Sequence, residues 1–248
     1  MCTHDRPMRE IESNIINDLK EVSPFYIYTS SFERSYFQLN TITMHTKNII
    51  AAGKPLTAAS SVLILLHGRG ASAEDILSLS HYLNVKDFTL LAPQATNNSW
   101  YPQSFLAPPK QNEPWLTSAL SIIKDLVEDV LTKGISEQHI YFAGFSQGAC
   151  LTLEYVTRNA GLYGGVVAFT GGLIGDKLYV ENYKGDFKQT PVFIGTSDPD
   201  PHVPVDRVLE TEKQMKKLHA NIQVKVYENM GHTINDDEIK QANEWVFK

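Results

Sequence analysis

His139-Ile140-Tyr141-Phe142-Ala143-Gly144-Phe145-Ser146-Gln147-Gly148-Ala149-Cys150-Leu151-Thr152-Leu153-Glu154-Tyr155-Val156 changes character twice over a short span. Its first five residues are a run rich in β-formers, and its last eight read as a helix. Between them stands Gly144-Phe145-Ser146-Gln147-Gly148, a G-x-S-x-G pentapeptide. Strand, G-x-S-x-G, helix is the setting in which the serine occupies a sharp strand-to-helix turn. Such a turn strains the backbone of the serine and needs neighbours with almost no side chain. It lifts the hydroxyl above the sheet and points the unpaired N–H groups of the helix N-terminus at whatever the serine attacks. The pentapeptide alone is of modest specificity, since an ordinary glycine-rich turn can carry it, so the remainder of the chain has to decide.

Outward from this point the chain alternates. Short apolar runs at 62–66, 88–92, 139–143, 165–169, 192–194 and 222–227 predict strands. Between them, amphipathic spacing predicts helices over 73–83, 115–131, 147–159, 206–218 and 236–246. Nearly all-apolar strands alternating with amphipathic helices imply an α/β fold, a mostly parallel sheet covered on both faces. Residues 1–44 read differently, with helical spacing over 8–22 and an aromatic-rich stretch after it (Phe25, Tyr26, Tyr28, Phe32, Tyr36, Phe37). They are expected to form an N-terminal extension packing on a main domain that spans 45–248.

With 248 residues, 42% of them hydrophobic, the chain can bury one large core. A net charge of -6 and the lack of a clustered Lys/Arg patch argue against a nucleic-acid partner. The longest apolar runs, such as Val62-Leu63-Ile64-Leu65-Leu66, are strand-sized and too short for stable membrane insertion. Met1-Cys2-Thr3-His4-Asp5-Arg6 lacks the apolar core of an export signal, and two cysteines, Cys2 and Cys150, make no disulfide framework. A cytoplasmic location is therefore expected. His67, His202 and His232 are too widely spaced for a metal site, and neither H-x-x-x-H nor a cysteine pair occurs.

In a parallel sheet, reactive groups collect at the carboxyl ends of the strands. The strand at 62–66 leads into His67-Gly68-Arg69-Gly70, whose glycines suit a loop donating backbone N–H groups to an oxyanion. The backbone N–H of Arg69, with that of Gln147 after the serine, makes a candidate oxyanion hole. His67 is expected to be structural, its ring bonded to a nearby backbone group. A dinucleotide fingerprint fails for want of a third glycine, and a phosphate loop for want of Gly-Lys-Ser/Thr. The long proline-rich segment after 88–92 offers Trp100, Tyr101, Phe105 and Leu106 as pocket walls, and Leu173 and Ile174 follow the strand at 165–169. Core packing is the alternative for each. The strand at 192–194 leads to Gly195-Thr196-Ser197-Asp198-Pro199-Asp200-Pro201-His202-Val203-Pro204. Counting from the strand end favours Asp198 as the acid that orients a histidine, whereas counting back from Val203-Pro204 favours Asp200. The strand end is taken as the tighter guide, with Asp200 as the alternative, and His202 is expected to shape the loop. Gly231-His232 follows the last strand, and the order Ser146, Asp198, His232 is that of a serine nucleophile, acid and base in α/β-hydrolases.

Leu66-His67-Gly68-Arg69-Gly70, Gly144-Phe145-Ser146-Gln147-Gly148, the stretch from Asp198 to Pro204 and Gly231-His232 together resemble the carboxylesterase/phospholipase family of α/β-hydrolases, which includes the acyl-protein thioesterases. Ser146-Gln147 and Val203-Pro204 are the more specific matches, and the resemblance runs from about residue 45 to the C-terminus. It implies an α/β-hydrolase fold and a serine hydrolase of small to medium esters or thioesters, working without a cofactor and often as a homodimer. The acid loop carries an extra Asp-Pro relative to a D-x-x-V-P pattern, which is why the choice between Asp198 and Asp200 stays open.

Overall fold

The computed structural model describes residues 44–57, 59 and 61–248. The extension read over residues 1–44 lies outside the described residues apart from Met44. Strands β1 (Ile49–Gly53), β2 (Ser61–Leu66), β3 (Phe88–Pro93), β4 (Ile140–Phe145), β5 (Gly165–Phe169), β6 (Pro191–Asp198) and β7 (Asn221–Glu228) form one sheet in the order β1-β3-β2-β4-β5-β6-β7. All neighbours pair in parallel except β1 with β3. The helices are α1 (Ala73–Leu77), α2 (Trp115–Thr132), α3 (Gln147–Arg158), α4 (Val205–Lys217) and α5 (Asp236–Trp245). None is long and apolar enough to cross a membrane.

The alternation of side chains along a strand sorts the core into two layers. Val62, Ile64 and Leu66 of β2 face a cluster built with α2, α3 and α4, whereas Leu63 and Leu65 face one built with α1 and α5. All six residues of β2 are buried, as are all five of β5, which is why 62–66 and 165–169 read as unbroken apolar runs. In α2, Leu116, Ala119, Ile123, Leu126 and Val130 repeat at helical spacing and turn one stripe to the sheet.

The six expected strands and five expected helices are all present, with small shifts at their ends. The apolar pattern at 73–83 is divided between α1 and a 3-10 turn over Ser78–His81. β1 is the strand that sequence patterning passed over. It lies at the edge of the sheet and runs against the others, and its Ala51-Ala52-Gly53 carries little strand propensity.

Behind β6, Glu238 of α5 is wholly buried. One carboxyl oxygen accepts the Asn235 amide at 2.9 Å in a capping box, and the other meets no polar partner among the described residues. It fits only because Gly195 has no side chain there. Burial pushes its pKa up from 4.5 to about 7, against the opposing effect of the Asn235 amide and with help from Asp237. Over that window the folded state keeps a proton that the unfolded chain has released, so stability is lost as pH rises from 4.5 towards about 7. Thermal melts of Glu238→Gln across this range should therefore show a shallower fall in Tm than wild type. Parallel curves would mean that Glu238 is ionised in the fold.

Candidate active site

Ser146 sits between β4 and α3 with φ 53° and ψ -118°, a conformation that residues with side chains rarely adopt. Its amide donates to the Phe169 carbonyl of β5 at 3.0 Å, and its carbonyl accepts from the Cys150 amide at 2.9 Å. The flanking glycines answer a need for space. A Cβ on Gly148 would overlap the Leu66 carbonyl at the end of β2, and one on Gly144 would press on the Gly148 carbonyl. The turn can therefore close only with glycine at both places.

The loop after β7 brings His232 to Ser146, with Nε2 2.8 Å from Oγ. On the other side of the ring, Nδ1 lies 2.8 Å from Oδ2 of Asp200. This corrects the preference for Asp198. Asp198 closes β6, is exposed, and pairs in register with Glu228 on β7. The chain must still turn through Pro199 before a carboxylate can swing under the imidazole. Asp200 has a fully buried side chain, and its Oδ1 accepts the amides of His202 at 2.7 Å and Val203 at 2.8 Å. Burial alone would raise its pKa. The His202 amide, the His232 ring and the Val203 amide outweigh that and hold it below the usual carboxylate value. A carboxylate that stays ionised can fix the Nδ1–H tautomer, which leaves Nε2 free to take the serine proton.

The wall opposite is the long segment after β3, cross-tied to the elbow and to the loop after β2. Gln147 accepts the Trp100 amide at 2.9 Å and donates to the Tyr101 carbonyl at 2.8 Å. The Arg69 guanidinium donates to Ser99 Oγ and to the carbonyls of Tyr101, Pro102 and Gln103, at 2.7 to 3.0 Å. With both side chains committed to this wall, the backbone amides of Arg69 and Gln147 keep no protein acceptor among the described residues. His67 is structural as expected. Its Nδ1 donates to the Gly68 carbonyl at 2.8 Å, Nε2 accepts the Ala95 amide at 3.1 Å, and burial lowers its pKa so that the ring stays neutral.

A cavity of about 640 Å³ opens beside Ser146, with Tyr101, Phe105, Leu106, Cys150 and Val203 among its lining. Two expected pocket residues are corrected. Trp100 is buried beneath the wall, its ring against His67 and its Nε1 donating to the His67 carbonyl at 2.9 Å. Leu173 is also buried in the core, where Thr211 and Arg207 bond its amide and carbonyl. Neither lines the cavity.

The profile described as Phospholipase/Carboxylesterase matches residues 45–248. The chain belongs to the phospholipase/carboxylesterase family. Among solved structures, the phospholipase/carboxylesterase from Dyadobacter fermentans is 53% identical, covers 84% of this chain and 100% of its own, and superposes with a TM-score of 0.82. The acyl-protein thioesterase 1 of Kluyveromyces lactis is 25% identical over 221 residues, which is 81% of this chain and 97% of the relative. A probable carboxylesterase SOBER1-like protein of Arabidopsis thaliana is 23% identical over 237 residues, 89% and 90% of the two chains. This member of the family is a carboxylesterase-type hydrolase.

Sequence patterning missed three residues that shape the family site here. His45 holds the wall from beneath, with Nε2 on the Trp100 carbonyl at 2.9 Å and Nδ1 on the Thr96 amide at 3.1 Å. It precedes β1 and carried no signal. The Phe145 ring packs on His232 with centroids 5.2 Å apart, a contact between segments far apart in sequence that the pentapeptide does not reveal. His202, expected only to shape its loop, also meets the His232 ring, edge to face at 4.8 Å.

Proposed function

We propose that residues 45–248 form a serine carboxylesterase or thioesterase domain that works through an acyl-enzyme on small to medium acyl groups. The observation that carries this is the His232 ring, bonded at Nε2 to Ser146 and at Nδ1 to buried Asp200. In acylation, His232 takes the Ser146 proton as Oγ attacks the carbonyl carbon. The backbone N–H groups of Arg69 and Gln147 receive the oxyanion, helped by the positive end of α3. His232 then gives the proton to the departing alcohol or thiol. Water repeats the attack on the acyl-enzyme, with His232 again as base, and frees the acid.

The acyl group is placed in the cavity beside Ser146, whose size suits a small molecule and whose apolar wall of Phe105, Leu106 and Val203 suits hydrocarbon. Support for the ester or thioester class comes from the names of the relatives, an acyl-protein thioesterase and a carboxylesterase. A hydrolase-fold binding protein without turnover is the rival, and the complete hydrogen-bonded relay argues against it. Two measurements decide. A fluorophosphonate probe should label wild type at Ser146, and p-nitrophenyl esters of graded acyl length should give kcat/KM values that rise and then fall. Failure to label would leave the binding protein standing, and a flat series would remove the defined acyl pocket.

A further inference from the structure

The cleft contains a second imidazole that the relay does not use. His202 is exposed, lines the same cavity as Ser146, and packs edge to face on His232 with ring centroids 4.8 Å apart and planes at 78°. Its backbone is fixed, because its amide donates to Oδ1 of the same Asp200 that orients His232. The other histidines around the site have both ring nitrogens engaged. His45 bonds Trp100 and Thr96, His67 bonds Gly68 and Ala95, and His232 bonds Asp200 and Ser146. Neither ring nitrogen of His202 has a hydrogen-bond partner among the described residues, although its ring is held in place.

Charge distribution adds a second, independent observation. The chain has 28 acidic against 22 basic side chains, yet no Asp or Glu lines this cavity. Its basic groups are Arg69, His202 and His232. Arg69 donates to the wall and His232 belongs to the relay. This leaves His202 as the basic side chain of the cavity with no hydrogen-bond partner among the described residues, beside the uncharged polar side chains of Tyr101, Gln103 and Ser104. Position says which part of the ligand it meets. The proton held at His232 Nε2 must reach the departing oxygen or sulfur, so the leaving group exits past the His232 ring, against which His202 stands.

We propose that His202 is a specificity-determining residue that reads the leaving group, donating a ring N–H to an anionic group carried on the alcohol or thiol portion of the substrate. This rests on the serine-hydrolase assignment above. Histidine keeps an N–H donor in both its neutral and its protonated form, so recognition does not demand a permanent charge. The imidazolium form adds a charge-assisted bond. No carboxylate lines the cavity to repel such an anion, and the nearest, Asp200, is fully buried and bonded to His232 and to the His202 and Val203 amides.

The test holds the acyl group constant and varies the leaving group. Butyryl thioesters of 2-mercaptoethanesulfonate, 2-mercaptoethanol and thiocholine carry an anionic, a neutral and a cationic thiol. Wild type should show kcat/KM about tenfold higher for the sulfonate than for the choline thioester, the scale of one hydrogen bond to a charged group. His202→Phe keeps a ring against His232 but removes the donors, and should bring the ratio to within about twofold of unity. Any general harm from disturbing His232 divides out of that ratio. His202→Arg should restore or raise it. Product inhibition of wild type gives the same comparison without a variant, with mercaptoethanesulfonate binding more tightly than thiocholine. A wild-type ratio near unity, or one unchanged in His202→Phe, overturns the assignment. Failure of the underlying mechanism looks different, because Ser146 would then resist a fluorophosphonate and none of the thioesters would turn over, which removes the His202 proposal with it.

Discussion

Ser146→Ala should lower kcat by about six orders of magnitude, the scale seen when the nucleophile of a serine relay is removed. The size of the loss depends on whether anything nearby can stand in. Cys150 lines the same cavity, one turn of α3 beyond the serine, and is the obvious substitute. Burial pushes its thiol up to about 12, with the Gly172 backbone and Tyr101 only partly opposing, so almost no thiolate exists at neutral pH. Water activated by His232 remains, along with the oxyanion donors, and these account for the residual rate. Single-turnover release of p-nitrophenol, at enzyme in excess over ester, measures the loss without interference from deacylation. An unchanged Tm or a modest rise is expected as well, because alanine removes a hydroxyl from a strained position without opening a core cavity. If Ser146→Ala kept more than about a hundredth of wild-type activity, a different nucleophile would have to be sought.

Asp200→Asn should cost about 10⁴-fold in kcat, while Asp198→Asn should stay within a few-fold of wild type. The asymmetry follows from proton placement. Asp200 accepts the Nδ1–H of His232, which leaves Nε2 as the base facing Ser146. An asparagine amide at that place donates instead, so Nδ1 must become the acceptor and the ring proton moves to Nε2. The serine then faces a donor. The carbonyl oxygen of the asparagine can still receive the amides of His202 and Val203, which preserves the loop. Chemistry should fail while the fold survives. Side-by-side kcat values for the two variants on one ester decide the matter, and a large loss in Asp198→Asn with a small one in Asp200→Asn would reverse the acid.

The sheet was legible because β2 and β5 are buried on both faces, which leaves apolar runs of strand length, rich in β-branched residues and alternating with amphipathic helical segments. The serine was legible because it follows β4 directly inside G-x-S-x-G, and the histidine because His232, after Gly231, is the one histidine in the short loop between β7 and α5. The acid was harder. β6 continues to Asp198, so the residue closing the strand is still in the ladder, where its side chain is exposed. What identifies Asp200 is the pair of bonds from its Oδ1 to the amides two and three residues on. That short turn ties Asp200 to Val203-Pro204, which is why counting back from the proline leads to the carboxylate that meets His232 and counting from the strand end does not. Trp100 and Leu173 misled because a large apolar residue on a loop gives no sign of which way it points. The direction of Trp100 is set by its indole N–H seeking the His67 carbonyl, a contact between segments far apart in sequence.

Gly148 has a consequence that reaches beyond the shape of the turn. With no side chain at that position, the first turn of α3 rests directly on the end of β2, the strand whose next residues run through Arg69. The two amides assigned to the oxyanion therefore sit on backbone segments in direct contact, with no flexible group between them to set their separation. In water, solvent dipoles must rotate to follow the charge that appears on a carbonyl oxygen under attack. Under the proposed assignment, the corresponding dipoles belong to backbone that the fold holds in position before any ester arrives. The work of aligning them is done once, when the chain folds, and does not recur at each turnover.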